Sequence, residues 1–160
     1  MPANFPMPAA DRLRDVLGDL LGRKVSVAPA RAVELGSETA AVADYHVDSG
    51  AVGVLCVADL RLTNALGAAL TMVPPRTVDD AVASQSIDQP TIDNFREVVN
   101  IMTSLFNTAD TPHLKFNDVH RLPSGLPPEA AMLLDGPKGR RDFDVTVDEY
   151  GSGTMSVFLA

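Results

Sequence analysis

The chain has 160 residues, 46% of them hydrophobic and 21% charged, with 13 Lys and Arg against 21 Asp and Glu and a net charge of −8. That is one domain's worth of material with enough apolar content for its own core, which excludes wholesale disorder. The acidic balance disfavours nucleic acid, which is bound by neutralising phosphates, and an anionic membrane face; a protein or small molecule is the expected partner.

Residues 1–9 carry Pro2, Pro6 and Pro8 and no basic side chain, so they read as a flexible lead-in rather than a secretion signal, with residues 10–160 as a single domain. Residues 11–21 form the first predicted helix, with Leu13, Val16, Leu17, Leu20 and Leu21 at helical spacing and Gly22 as its stop. Residues 24–33 read as a strand interrupted by Pro29, so it is an edge strand or ends early. A turn at Leu35-Gly36-Ser37 leads to a strand over 39–47, and Asp48-Ser49-Gly50 turns the chain into a returning strand over 51–58. That returning strand is apolar on both faces and therefore central. Cys56 lies in it as a buried thiol; being the only cysteine, it excludes an intrachain disulfide and a Cys-rich zinc site.

A helix over 62–72 is stopped by Pro74-Pro75, a short helical stretch follows at 78–83, and the polar residues 84–90 read as a connector. Residues 91–107 give the strongest helical pattern, with Thr91 as its cap. A strand over 113–122 ends at Pro123, and Pro128 opens a short helix toward Leu134. Residues 141–148 alternate, with Phe143, Val145 and Val147 on one side. A glycine turn at 151–153 then leads to a last strand over 154–159, read as a sheet edge. No run approaches the roughly 20 apolar residues of a membrane span, so a cytoplasmic location is expected.

The class is α+β: long helices on one mixed, largely antiparallel sheet, in two pseudo-repeats of a helix plus three strands, at about residues 10–84 and 91–160. The helices of the two halves align without a gap. Asp11, Arg14 and Val16 fall on Asp93, Arg96 and Val98, while Asp15 and Gly18 fall on Glu97 and Asn100.

At about 100° per residue, Asp93, Glu97, Asn100 and Ser104 lie within about 60° of one another. Ile92, Phe95, Val99, Met102 and Phe106 lie opposite, with Val98, Ile101 and Leu105 as a second apolar flank. The polar strip is narrow, and its centre pairs a carboxylate with an amide one turn apart. The three histidines, His46, His113 and His120, have no helical metal-site spacing, so no metal is assigned to this chain.

The Glu97-Val98-Val99-Asn100 stretch, with Asp93 four residues before the Glu and Pro123 twenty-three after the Asn, resembles the CheC/CheX/FliY family of chemotaxis phosphatases, CheX most of all. Gly53-Val54-Leu55-Cys56-Val57 and the helix after it share that look. The resemblance implies a bacterial two-component signalling protein that hydrolyses the aspartyl-phosphate of a CheY-like response regulator. Asn100 would hold the attacking water, and Glu97 would pair with the regulator's active-site Lys. Asp93, Arg96 and Ser104 would lie in the partner-binding surface. No cofactor of its own is implied, since the Mg²⁺ belongs to the regulator. Asp15 and Gly18 would mark a vestigial site, because glycine cannot hold a water. A homodimer paired through sheet edges is also implied. Ser104 departs from the family pattern, which often has glycine there. It keeps a second reading open: a non-catalytic binding module for a regulator or flagellar-switch partner.

Overall fold

Helical spacing in the helices and alternation in the strands sort the apolar side chains into two clusters, one on each face of a single sheet. The computed structural model describes residues 5–32 and 39–160; the turn predicted at 35–37 lies outside them. The elements are α1 (Ala10–Leu21), β1 (Val25–Pro29), β2 (Ala40–His46), β3 (Val52–Asp59), α2 (Leu60–Leu70), α3 (Arg76–Ala83), α4 (Gln89–Ile101), a 3₁₀ turn (Met102–Leu105), β4 (Lys115–Leu122), α5 (Pro128–Asp135), β5 (Gly139–Val147) and β6 (Gly151–Leu159).

The sheet order is β1-β5-β6-β3-β2-β4, and every neighbouring pair is antiparallel. Exchanging β1 with β4, β2 with β5 and β3 with β6 reverses this order and returns the same sheet. Each half lends its first strand to the other: β1 pairs with β5, and β4 with β2. The α+β pseudo-repeat is therefore built into the strand order.

The larger cluster joins Leu13 and Leu17 of α1, Leu62 and Leu66 of α2, and Phe95, Val98 and Val99 of α4 to sheet residues such as Tyr45, Cys56, Phe143 and Val157. The smaller one packs Ala130 and Leu133 of α5 on Val42, Leu55, Val57 and Phe158.

Several boundaries differ from the sequence reading, each for a local reason. Asp88, not Thr91, caps α4: its carboxylate accepts the Thr91 N–H at 2.9 Å, and Pro90 sits in the first turn, where its missing N–H is harmless. The helix does not run to residue 107; it ends at Ile101 and tightens into the 3₁₀ turn. The β5–β6 turn lies at Asp148-Glu149-Tyr150, with Glu149 left-handed at φ 72°. Gly151 and Gly153 belong to β6. A Cβ on Gly153 would stand 2.4 Å from the Asp59 carboxylate and 2.6 Å from Leu62, so glycine here lets the start of α2 close onto the strand.

β6 is interior, between β5 and β3, so the edges are β1 and β4 rather than the final strand. His113 precedes β4 and is exposed. Phe5 and Met7 pack against the core and Pro8 is buried, so the described part of the lead-in lies on the domain.

Candidate functional site

Two neighbours fix α4 in place. Its inner face buries Ile92, Phe95, Val98 and Val99, and Met102, Leu105 and Phe106 continue that face through the 3₁₀ turn. Against α2 the approach is close: a Cβ on Gly67 would come within 2.9 Å of Thr91. The Asn94 amide crosses the contact, donating to the Gly67 carbonyl at 3.0 Å and to Thr71 Oγ1 at 3.0 Å.

From the sheet, Tyr45 donates its hydroxyl to the Val99 carbonyl at 2.5 Å, its ring lying 5.1 Å from Phe106 and 5.9 Å from Phe116. Burial, then the neighbouring Cys56 and Asp44, hold Tyr45 well above its ordinary pKa, so it is a neutral donor. Burial likewise pushes the Cys56 thiol up to about 12, with its hydrogen bond to Tyr45 acting the other way, which leaves an inert strand thiol. The bond from Tyr45 ties the last turn of α4, where Asn100 sits, to the C-terminal end of β2.

The outer face carries Asp93, Glu97, Asn100 and Ile101, all exposed, with Ser104 following in the 3₁₀ turn. Among the described residues, Glu97 makes no ion pair or hydrogen bond, and neither does the Asn100 side chain; both are open to a partner. Asp93 accepts from Gln89 Nε2 at 2.8 Å. Ile101, 43% exposed, adds an apolar surface beside Asn100. Ser104 donates to the Ile101 carbonyl at 3.2 Å. The chain runs through this turn without a left-handed residue, so no glycine is required by the backbone at 104.

Arg96 does not join the strip. Its guanidinium pairs with Asp118 on β4 and lies over the Phe116 ring, 5.7 Å from the centroid. On Asp118 burial acts upward, but the hydrogen bond from Arg96, the Val119 N–H and the nearby cations outweigh it and hold the carboxyl below its ordinary value. Asp118 reaches α4 because β4 carries a bulge opposite Asp44 and Tyr45.

The buried Asp44 carboxylate fills the irregular spot. It accepts the Asp118 N–H at 2.9 Å and the Asn117 amide at 3.1 Å and bonds His46 Nε2 at 2.8 Å, while His120 Nε2 stands 3.2 Å away without forming a hydrogen bond. Neither this cluster nor the Arg96–Asp118 pair is visible in the sequence reading. The broken alternation at Phe116-Asn117-Asp118 is the signal that locates the bulge. Among the described residues no group of three or more His, Cys, Asp or Glu is placed to hold a metal ion.

The aligned positions on α1 look different. Asp15 is exposed, but Arg14 pairs with it at 3.1 Å and with Asp11 at 3.4 Å, and Gly18 offers no side chain. Pro123 ends β4 and lines a hollow with Leu126 and Met132 beside α5.

No family model and no curated protein sequence matches the chain. Solved structures do. Thermotoga maritima FliY superimposes with a TM-score of 0.63 at 16% identity, over 96% of this chain and 85% of that one. CheX in the CheX–CheY–BeF₃–Mg²⁺ complex from Borrelia burgdorferi gives 0.58 at 13% identity, over 93% of both chains. The FliG–FliM complex from H. pylori gives 0.55 at 10% identity, over 94% of this chain and 85% of that one. No helix among the described residues is long and apolar enough to cross a membrane. The chain is built on the α+β fold of the CheC/CheX/FliY proteins.

Proposed function

We propose that this protein is a phosphatase acting on the aspartyl-phosphate of a CheY-like response regulator, with α4 as the helix that enters the regulator's active site. The observation that carries the reading is the outer strip of α4: Glu97 and Asn100, one turn apart, both exposed and both without an internal partner among the described residues. A free carboxylate and a free amide on a helix held from two sides are suited to docking and to placing a water.

Asn100 supplies an amide that both donates and accepts, so it orients a water in line with the phosphorus. Glu97 pairs with the regulator's Lys and sets the register of docking. Asp93 and Ser104 border the contact, and Mg²⁺ arrives on the regulator. Phosphoryl transfer through a loose transition state needs positioning more than covalent chemistry, which suits a surface without a nucleophile. The CheX–CheY complex of a protein with this fold supports a regulator as the partner.

The test is the rate of phosphate loss from a phosphorylated CheY-like regulator. Asn100→Ala is expected to lower the catalysed rate constant by ~10²-fold or more, and Glu97→Ala to raise the KM with a smaller effect on turnover. An Asn100→Ala protein that folds and accelerates phosphate loss as the wild type does would remove the catalytic role.

A second reading is a binding module for a regulator or switch partner. It is favoured by Ser104 in place of the family's frequent glycine and by the likeness to FliM, which is found in complex with FliG. Under it, a regulator binds and its phosphate decays at the unassisted rate.

A further inference from the structure

We infer that Asp118 is a positioning residue that keeps Arg96 away from the carboxylates of α4, so that Glu97 meets its partner unneutralised; this rests on the docking role proposed for Glu97. The molecule contains its own control. In α1, Arg14 occupies the place of Arg96, and among the described residues nothing draws it aside. It folds back along its helix onto Asp11 at 3.4 Å and Asp15 at 3.1 Å, the counterparts of Asp93 and Glu97. An arginine in this register reaches both carboxylates unless something else holds it.

In α4 two contacts hold it: the ion pair with Asp118 and the ring of Phe116 beneath the guanidinium at 5.7 Å. Both come from β4, and both depend on the bulge, which puts Phe116 opposite Tyr45 and Asp118 opposite Asp44 with Asn117 extra between them. Asn117 turns to the Asp44 carboxylate, and Asp118 gives its N–H to the same carboxylate while its side chain reaches Arg96. The bulge re-aims one acidic side chain toward the helix, a known use of such irregularities beside functional sites.

The pair's two side chains are 41% and 46% exposed. An ion pair at that exposure adds little to stability, so its consequence lies in where it places the cation.

The test is Asp118→Asn, which keeps shape and removes the charge, against Asp118→Glu, which keeps the charge. A readout needing no partner comes first. With Arg96 over the Phe116 ring, its side-chain protons in the wild type are expected to carry ring-current shifts in the NMR spectrum. Asp118→Asn is expected to lose those shifts and Asp118→Glu to keep them; unchanged Arg96 shifts in Asp118→Asn overturn the inference whatever the protein's activity.

The second readout is docking to a CheY-like regulator carrying BeF₃⁻ and Mg²⁺. Asp118→Asn is expected to weaken it roughly 5-fold and to do so only when Glu97 is present, adding nothing further in a Glu97→Gln background. A full additional loss in that background means that Asp118 acts through the fold and contradicts the inference. Failure of the wild type to bind any such regulator removes the docking reading, and the NMR comparison still decides whether Asp118 places Arg96.

Discussion

α1 and α4 are the same helix used in two ways. They align residue for residue across Asp11, Arg14, Asp15 and Gly18 on one side and Asp93, Arg96, Glu97 and Asn100 on the other, and both bury an apolar face in the same core. They part on the outer surface. On α1 the charges satisfy one another and the fourth position is glycine. On α4 the arginine is drawn to β4, the carboxylate is left open, and an amide stands where the glycine would be. Fold and candidate chemistry therefore lie on opposite faces of one helix. A duplicated scaffold can keep two helices for packing while only one carries a site.

The strongest way to break this comparison is through the buried face. Phe95 is fully buried beneath Glu97 and Asn100. Phe95→Ala is expected to lower unfolding stability by about 3–5 kcal/mol, measured by urea denaturation. If α4 were a loosely attached arm, the loss would stay below about 1 kcal/mol.

A smaller effect separates the two helix starts. α4 is capped by the Asp88 carboxylate, whereas Ala9 before α1 makes no side-chain cap bond. Asp88→Ala is expected to lower stability by about 1 kcal/mol. Hydrogen bonds from Thr91, side chain before backbone, hold the Asp88 carboxyl below its ordinary value. A carboxylate whose folded pKa is depressed contributes stability that is complete above its unfolded pKa and disappears as pH falls through the folded one. The gap between wild type and Asp88→Ala should thus be constant near neutral pH and close in acid, below pH ~3.9. A gap that widens in acid would contradict the cap.

Much of this was legible from the residues alone. The buried face of α4 followed from Ile92, Phe95, Val99 and Met102 at helical spacing, and the two-faced strand at β3 from its unbroken apolar run. The exposed strip followed from Asp93, Glu97 and Asn100. What escaped depends on contacts between distant segments. The bulge in β4 is created by the pairing with β2, so the fate of Arg96 cannot be read from α4 itself. Gly153 looks like a turn residue until Asp59 and Leu62 are brought against it. Thr91 looks like a cap because periodicity begins there, while the hydrogen bond comes from Asp88, three residues earlier. The last strand looks like an edge because it ends the sequence given, yet pairing across the two halves puts it inside the sheet.

The central claim is that one of two equivalent helices carries the active strip, and one exchange tests it most directly. Asn100→Gly gives α4 the residue that α1 has at the aligned position, and Gly18→Asn makes the reverse change, where an added Cβ meets only the Arg23 carbonyl at 3.5 Å. The measurement is phosphate loss from a phosphorylated CheY-like regulator with wild type and each variant. Asn100→Gly should bring the rate down to that of the regulator alone, while Gly18→Asn should leave the wild-type rate unchanged. An accelerated rate that survives Asn100→Gly, or that falls with Gly18→Asn in a folded protein, would contradict the account.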